Sequence, residues 1–381
     1  MTGVGTDGRS LPHCSKCENK KHYFRVMNIL VIRFRQMGDS ILSTVLTNTL
    51  HQSLEGARID VVLNDNLAPL FAGHPSISNI YTFSNKERHN AWTYIRKVWQ
   101  ITHQTRYDII IDMRSTFNTT LFSWFSLHTP FRIGLKKVYT RFVFNHRFDV
   151  CGYKESIIDH NLKLLHPLES MSDINYTRDF TLHITEEEKE SFRQYMVMQG
   201  IDFRRPVALL AVTTRVKIKS WAQENMRWLT QQFIERYPNF QIIYNYAPYE
   251  EAEVIEEYRN EGCPANVFVN IQAKSPRELV AMCANIDLFL GNEGGARHIA
   301  HSMGKPSFVI CAPTVSKYTW IPQNNVPAEA MSPSDFLKDE DIRELSYEDQ
   351  MKLVKKEVVW KHLQRFMEKF IDYEKNINSN A

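Results

Sequence analysis

The stretch GNEGGARHIA at residues 291–300 lies between two short apolar runs, residues 286–290 and 308–310. The apolar runs have the composition of strands, and the residues after the glycines are typical of a helix, so the pattern predicts strand, glycine turn, helix and strand. Glycines at a helix entry let the backbone approach a ligand, and the free N–H groups there attract phosphate. Glu293, just before the glycines, is placed to bind sugar or ribose hydroxyls. The stretch therefore predicts either a phosphate-plus-sugar site or a helix start with conformationally convenient glycines.

Length and charge narrow the class of protein. A chain of 381 residues is too long for one typical core, so two domains are expected. The formal charge of +3 comes from residues 1–26, and the remainder is neutral, which removes any global electrostatic case for nucleic acid binding. No apolar run approaches the roughly 18 residues that span a bilayer, and no hydrophobic signal segment is evident. A cytoplasmic location follows as an expectation.

Six scattered cysteines fit reduced thiols better than a disulfide framework. Cys14 and Cys17, with two histidines nearby, have the spacing of half a zinc knuckle, but no second ligand pair follows them. A disordered tail is the favoured interpretation of this segment, and Met27 is a candidate for the natural start.

Strand and helix patterns alternate through both halves of the chain. The apolar runs predict strands at residues 28–33, 58–63, 108–112, 207–212, 241–246, 267–271, 288–290 and 308–310. Helical periodicity lies at residues 41–54, 92–103, 116–127, 185–200, 221–237, 250–261, 276–283 and 299–303. We therefore predict an α/β protein with two doubly wound, Rossmann-like domains facing a central cleft. The predicted boundaries are a disordered tail at 1–25, domains at 26–185 and 186–335, and terminal helices at 336–381.

Two loops could carry chemistry. Asp39 lies at a helix entry after the first strand, where it predicts either a general base at the cleft or an N-cap. The loop after the strand at 207–212 combines hydroxyls and cations, which suits a diphosphate but also suits a solvated surface. Its side chains of interest are Thr213, Thr214, Lys217 and Lys219.

These segments, in this order, resemble glycosyltransferase family 9, the lipopolysaccharide heptosyltransferases and their relatives. The resemblance rests on residues 28–44, on TTR…KSW at 213–221, on GNEGGARHIA at 291–300, and on Gly304-Lys305-Pro306, Pro313-Thr314 and Trp320-x-Pro322. It implies a GT-B fold and inverting sugar transfer without a metal or cofactor. It implies Asp39 as the catalytic base and Lys219 as the cation that neutralises the leaving diphosphate.

The resemblance also implies a donor site and a most favoured donor, ADP-heptose. The residues it assigns to the donor are Thr213, Thr214, Glu293, Gly294, Gly295 and His298. The chain departs from the family pattern in three places. Glu293 with two glycines replaces Asp-Thr-Gly, an extra residue leaves Lys217 or Lys219 as the phosphate-binding lysine, and Pro248 lies near the position of a ribose-binding glutamate.

The acceptor is expected to be an acidic glycolipid core. Basic residues interleave with aromatic ones in the first half, and the candidates are Arg114, Lys136, Lys137 and Arg141. The alternative is an amphipathic surface with extended cationic side chains, and such a patch could also contact the inner face of a membrane peripherally. The acidic run at 339–341 is interpreted as solvated surface, and no obligate protein partner is evident.

Three functions remain at this stage. The first is the inverting transferase, with ADP-heptose or another nucleotide sugar as donor. The second is a nucleotide-sugar epimerase of the same two-domain shape, which would turn over without an acceptor. The third is a binding subunit without turnover, and the presence of both Asp39 and Lys219 argues against it.

Overall fold

A computed structural model describes residues 26–152, 154–247, 252–313, 315–338, 341–342 and 344–380. The expectations for the 1–25 tail, for Cys14 and Cys17, and for Pro248 lie outside these residues, and so does most of the acidic run at 339–341. In the part of the chain that is described, no helix is both long and apolar enough to cross a membrane.

The first half of the chain forms a six-stranded parallel sheet in the order β3-β2-β1-β4-β5-β6. Its strands are β1 (Asn28–Ile32), β2 (Arg58–Asn64), β3 (Asn79–Phe83), β4 (Ile109–Asp112), β5 (Phe131–Leu135) and β6 (His146–Phe148). Ile32 pairs with Val62 on one side and with Asp112 on the other, so the strand order reverses at β1 and β4. Ligands of doubly wound sheets bind at the carboxyl ends of the strands beside such a reversal.

The second half repeats this topology in the order β12-β11-β10-β7-β8-β9, again all parallel. Its strands are β7 (Val207–Ala211), β8 (Gln241–Asn245), β9 (Val267–Phe268), β10 (Leu288–Asn292), β11 (Ser307–Ile310) and β12 (Ala328–Met331). Here the strand order reverses at β7 and β10, the strands that precede the basic loop and the glycine turn. The prediction of two doubly wound parallel sheets is confirmed.

Helices connect the strands and cover both faces of each sheet. In chain order the α-helices are α1 (Met37–Leu42), α2 (Thr44–Ser53), α3 (Asn85–His89), α4 (Ala91–Gln104), α5 (Thr120–Trp124), α6 (Ile157–Lys163), α7 (Glu186–Met198), α8 (Gln223–Arg236), α9 (Ala252–Glu261), α10 (Pro276–Ala284), α11 (Gly295–Ser302), α12 (Lys317–Trp320), α13 (Tyr347–Lys352) and α14 (Lys356–Asn380). Short 3₁₀ helices lie at Asp65–Phe71, Val138–Thr140, His166–Ser170, Lys217–Lys219 and Pro333–Asp335. Because both faces are covered, the central strands are apolar throughout, as in VALLA of β7.

The C-terminal helices belong to the core of the second sheet. Leu363 and Phe366 of α14 are fully buried in the cluster that contains Trp221 and Phe308. The indole N–H of Trp221 donates to the carbonyl of Val354, 2.9 Å away, just before α14. The apolar side of α14 as far as Phe370 therefore packs in the core of the second half, and this burial stabilises that part of the helix.

The two halves meet where α1 packs on α11. Gly38 faces the ring of His298, and a Cβ at Gly38 would lie 2.5 Å from Cδ2 of that ring. A Cβ at Gly295 would in turn lie 2.8 Å from the sulfur of Met37. One hydrophobic cluster runs through both halves and includes Ile41 and Ile299. Small residues at this crossing bring the helix entry of the first half against the glycine turn of the second.

This close approach gives a prediction for Gly38→Ala. The added methyl group meets a buried ring, so we expect the free energy of unfolding to fall by about 1–3 kcal/mol, the usual cost of overpacking. Gly294→Ala is the matched control, because a Cβ there meets no atom within 4 Å. Thermal melts of both variants check the prediction, and equal melting temperatures would contradict the tight crossing.

Candidate functional site

A cleft of about 490 Å³ lies at the carboxyl ends of β7, β8 and β10 and is closed on one side by residues 36–38 of the first half. Six of the residues predicted for the donor and its diphosphate line this cleft: Thr213, Thr214, Lys219, Glu293, Gly294 and Gly295. The loops that follow the two central strands of the second sheet therefore meet, as the topology of a parallel sheet requires.

The loop after β7 is held by side-chain hydrogen bonds to Ser220. The hydroxyl oxygen of Ser220 accepts from the backbone N–H of Thr214 at 2.8 Å and lies 3.1 Å from the hydroxyl of the same threonine. Lys217 and Lys219 are the first and last residues of the short 3₁₀ helix in this loop. Lys219 lines the cleft, whereas Lys217 forms an exposed ion pair with Glu253 at 3.2 Å. Of these two lysines, therefore, Lys219 lines the cleft and Lys217 does not.

The glycine turn is set by contacts with the neighbouring strand. Gly291 has φ of +103°, and a Cβ there would lie 2.5 Å from the carbonyl oxygen of Ala211, so a side chain is excluded. The side-chain N–H of Asn292 donates to that same carbonyl at 3.0 Å, and its side-chain oxygen accepts from the backbone N–H of Trp221 at 2.8 Å. This amide ties the glycine turn to the basic loop. No side chain caps α11 at Gly294, and the first residues of the helix, Gly295 and Ala296, line the cleft.

Glu293, Arg297 and His298 form a buried network behind the turn. Oε1 of Glu293 lies 3.2 Å from Nε2 of His298 and 3.8 Å from Nη2 of Arg297. Burial alone would raise the pKa of Glu293, but the hydrogen bond from His298 and the charges of His298, Arg297 and Lys219 lower it below its ordinary value. Burial and the charge of Arg297 lower the pKa of His298, while the hydrogen bond and the charge of Glu293 act in the opposite direction. Glu293 is therefore ionised and fixed, ready to accept hydrogen bonds from hydroxyl groups.

His298 does not line the cleft. Its ring is buried between Gly38 of the first half and Trp320, whose ring lies edge-on at 5.9 Å. The structure places His298 behind Glu293, with Nε2 of the ring 3.2 Å from Oε1 of that glutamate. A histidine at this spacing was assigned by resemblance, and packing turns it toward the domain contact.

Asp39 lies in the first turn of α1 and is almost buried. Nη2 of Arg33 lies 3.0 Å from its Oδ1, and Nε of Arg35 lies 3.7 Å from the same oxygen. Burial lowers the pKa of Arg33 to about 10, and the charge of Asp39 opposes this effect. Both guanidinium groups approach Oδ1, so two cations hold the carboxylate in place.

The predicted acceptor residues divide into two groups. Arg114 is half-buried after β4; burial and the charge of Arg35 lower its pKa, while the charge of Asp39 raises it. The ammonium of Lys137 lies 3.4 Å from the carbonyl oxygen of Arg114. Arg114 is thus close enough to interact with the charge of Asp39, and Lys137 lies next to Arg114. Lys136 instead pairs with Asp149 at 3.0 Å, and Arg141 lies over the ring of Phe142.

Sequence patterns missed several residues at this site. Further lining residues of the cleft lie at the end of β8, just after it, and before or at the start of α10: Asn245, Tyr246, Ala247, Ala273, Lys274 and Ser275. Ser275 is the N-cap of α10, and its hydroxyl oxygen accepts from the backbone N–H of Glu278 at 3.1 Å. The sequence signal for this helix entry is Ser275 followed by Pro276 at the first helical position. Arg33 and Arg35 follow β1 directly, and their closeness to Asp39 depends on how α1 folds back.

One group among the described residues has the composition of a metal site. The ligand atoms of Cys151, Glu155 and His160 lie within 4.8 Å of one another, outside the cleft. Lys163 already occupies Oε1 of Glu155, and burial raises the pKa of the Cys151 thiol to about 11. A thiol that resists ionisation and a carboxylate held by an ammonium are poor ligands, so this group fits a structural network better than a metal.

Comparisons with known proteins agree with this geometry. The family model described as glycosyltransferase family 9 (heptosyltransferase) matches residues 95–336. Lipopolysaccharide heptosyltransferase 3 of Escherichia coli K12 is 24% identical over 285 residues, which cover 71% of this chain and 78% of that protein.

Two solved structures share the fold. A family 9 glycosyltransferase from Veillonella parvula superposes with a TM-score of 0.75 at 18% identity, covering 90% of this chain and 98% of the other. An E. coli heptosyltransferase with ADP-2-deoxy-2-fluoro heptose gives a TM-score of 0.66 at 14% identity, covering 89% and 99%. The predicted GT-B fold is confirmed. The chain belongs to glycosyltransferase family 9 and is a glycosyltransferase.

Proposed function

We propose that this protein transfers a sugar with inversion and without a metal, from ADP-heptose to the core of a lipopolysaccharide or a related surface glycan. The contact between α1 and α11 carries the proposal, because it brings the entry of α1, with Asp39 next to Gly38, against the glycine turn of the cleft. A base from one domain and a phosphate site from the other are what a displacement at a donor sugar needs.

The donor occupies the cleft in two parts. The nucleoside lies against Tyr246 and the start of α10 at Ser275, both of which line the cleft. The diphosphate lies between Lys219 and the open N–H groups of α11, with the hydroxyls of Thr213 and Thr214 beside it. A cation, hydroxyls and a helix dipole together stabilise two phosphates in a partly dehydrated cleft.

The reaction is a single displacement. The acceptor hydroxyl oxygen attacks the anomeric carbon, and its proton passes to the carboxylate of Asp39. The bond from that carbon to the diphosphate oxygen breaks, and its electron pair leaves on that oxygen. Lys219 and α11 stabilise the charge that develops on the leaving diphosphate. Glu293 binds hydroxyls of the donor sugar, held in place by His298 and Arg297.

The acceptor approaches over the first domain. Arg35 and Arg114 flank Asp39, and Lys137 follows further out. Guanidinium groups bind carboxylates and phosphates bidentately, so an acidic sugar or a phosphorylated glycolipid core suits this approach. A cytoplasmic enzyme that contacts the inner face of the membrane peripherally would meet such an acceptor.

A thermal-shift panel tests the donor assignment. Purified protein is melted with ADP, ADP-heptose, UDP, GDP and common UDP- and GDP-sugars. A ligand at 100 times its dissociation constant adds about 2.7 kcal/mol to stability, which is readily measured. We expect stabilisation by ADP and ADP-heptose. A preference for uridine or guanosine ligands would leave the assignment as a transferase unchanged and replace ADP-heptose as the donor. In a separate activity assay, turnover of the nucleotide sugar without any acceptor would indicate the epimerase.

Metal independence is a separate prediction. Because Lys219 and the α11 terminus supply the positive charge for the diphosphate, we expect the rate of transfer to be unchanged after treatment with EDTA. The control is the same assay with added Mg²⁺, which should give no increase. A loss of activity that returns with a divalent cation would contradict the proposed mechanism.

A further inference from the structure

The loop between β5 and β6 has its side chains arranged against the usual pattern of a surface loop. Val138 is 96% exposed, Phe142 is 77% exposed and Tyr139 is 43% exposed. The polar Thr140 is fully buried, and its hydroxyl donates to the carbonyls of Leu135 and Lys137 at 2.9 Å. Loops normally face water with polar atoms, so apolar groups that point outward from an ordered loop indicate a binding surface.

This loop is firmly anchored to the segment that follows β4. The hydroxyl of Tyr139 donates to the carbonyl of Ser115 at 2.9 Å, and the Tyr139 ring packs edge-on near Phe117, which is 71% exposed. Behind the loop, Phe144 is buried and packs on Gly134, where a Cβ would lie 2.4 Å from its ring. We call the four outward side chains, Phe117, Val138, Tyr139 and Phe142, the apolar rim.

The segment that carries the apolar rim is rich in cations, one of which, Lys136, pairs with Asp149 at 3.0 Å. Residues 113–147 contain six arginines and lysines and no acidic residue, while the whole chain has a net charge of only +3. Three of these cations, Lys136, Lys137 and Arg141, lie in the rim loop itself. Acidic phospholipids attract such segments by about 1 kcal/mol per cation near the surface. Exposed apolar side chains among cations match the interface of an anionic bilayer better than an apolar protein groove.

We infer that the apolar rim inserts into the headgroup layer of an anionic membrane and so docks the first domain on the surface that holds its acceptor. The inference rests on the proposed function for its purpose, because a glycolipid acceptor is embedded in a membrane. Arg114 connects the two surfaces: it follows β4 next to the rim, its carbonyl lies against Lys137, and the charge of Asp39 raises the pKa of its guanidinium. A docked rim therefore holds the approach to Asp39 at the lipid surface.

Vesicle flotation of the full chain tests this docking without requiring any turnover. The probe is vesicles of phosphatidylethanolamine and phosphatidylglycerol, with neutral phosphatidylcholine vesicles as the reference. We expect binding to the anionic vesicles that weakens with salt. The double variant V138S/F142S should reduce the partition coefficient at least about tenfold, since two apolar side chains no longer enter the interface. Met198→Ser, at an exposed apolar position on α7, is the matched control and should bind as the wild type.

The cations of the rim loop give an independent measurement. Lys136→Gln and Arg141→Gln should each reduce partition about fivefold and lower the salt dependence. Donor binding, measured by the thermal-shift panel, should be the same in all rim variants as in the wild type. Failure of transfer with intact flotation would reject the proposed function while the docking stands.

Three results would overturn the inference. The first is equal flotation of V138S/F142S and the wild type, or no flotation of either. The second is binding that persists in V138S/F142S but is lost in W92S/W99S, which would move the surface to the exposed tryptophans of α4. The third is a change of oligomeric state in V138S/F142S by light scattering, which would make the rim a contact between two copies of the chain.

Discussion

Asp39→Asn should lower kcat for sugar transfer by about 10²–10⁴-fold, the usual contribution of a general base, and leave donor affinity unchanged. Asparagine has nearly the shape of aspartate but cannot accept the proton of the attacking hydroxyl. Because the donor cleft is lined by residues 36–38 and not by the Asp39 side chain, ADP should still stabilise the variant as it does the wild type.

Asparagine is the right replacement because of Arg33. This guanidinium is buried, and it lies 3.0 Å from Oδ1 of Asp39. An alanine at position 39 would leave the buried cation without its partner and confuse loss of folding with loss of chemistry. The side-chain oxygen of asparagine still accepts from Arg33, so a melting temperature close to that of the wild type is expected.

Asp65→Asn is the control for charge alone. Asp65 is exposed at the start of the 3₁₀ helix after β2, in the same domain. Its variant should transfer sugar at the normal rate. Full activity of Asp39→Asn would reject the base assignment, and loss of donor binding in that variant would show that Asp39 acts on the donor instead.

Lys219→Ala should lower kcat by about 10²–10³-fold, as expected when one preorganised donor to a developing negative charge is removed. Lys219 lines the cleft, and its charge contributes to the lowered pKa of Glu293. The loss should appear mainly in kcat, because the charge on the diphosphate grows as the sugar bond breaks.

The same short 3₁₀ helix provides a matched control in Lys217→Ala. Lys217 is exposed and pairs with Glu253 on the surface, an interaction worth at most about 1 kcal/mol. Its variant should keep almost the full rate of transfer. A larger loss of activity in Lys217→Ala than in Lys219→Ala would show that the assignment of the diphosphate to Lys219 is wrong.

Most strands could be predicted because central parallel strands are apolar on both faces. The prediction for 207–212 became Val207–Ala211, and that for 241–246 became Gln241–Asn245. The strands that patterns did not identify lie toward the outside of the sheets: β3, β5, β6 and β12. Their residues are only partly buried in places, as in β6, so polar side chains interrupt the apolar signal.

Helix predictions were correct where the helix is long and amphipathic and were less accurate at short connections. Residues 92–103 became α4 at Ala91–Gln104, whereas the single helix predicted at 41–54 is two helices that meet at Ser43. α1 also begins earlier, at Met37, so that Asp39 lies inside its first turn and not ahead of it. Contact with α11 of the other domain, which periodicity does not report, accompanies this earlier start.

The sequence by itself determined the two alternating α/β halves, the glycine turn and the basic loop, because strands, helix entries and turns depend on residues close together in the chain. Only the tertiary structure decided which side chains face the cleft. Lys219 points inward and Lys217 outward within one short turn, and His298 supports Glu293 from behind, against Gly38. Arg33 and Arg35 surround Asp39 only after α1 has folded onto the sheet. Side-chain direction at these positions is set by packing between distant segments, and no local pattern of residues contains that information.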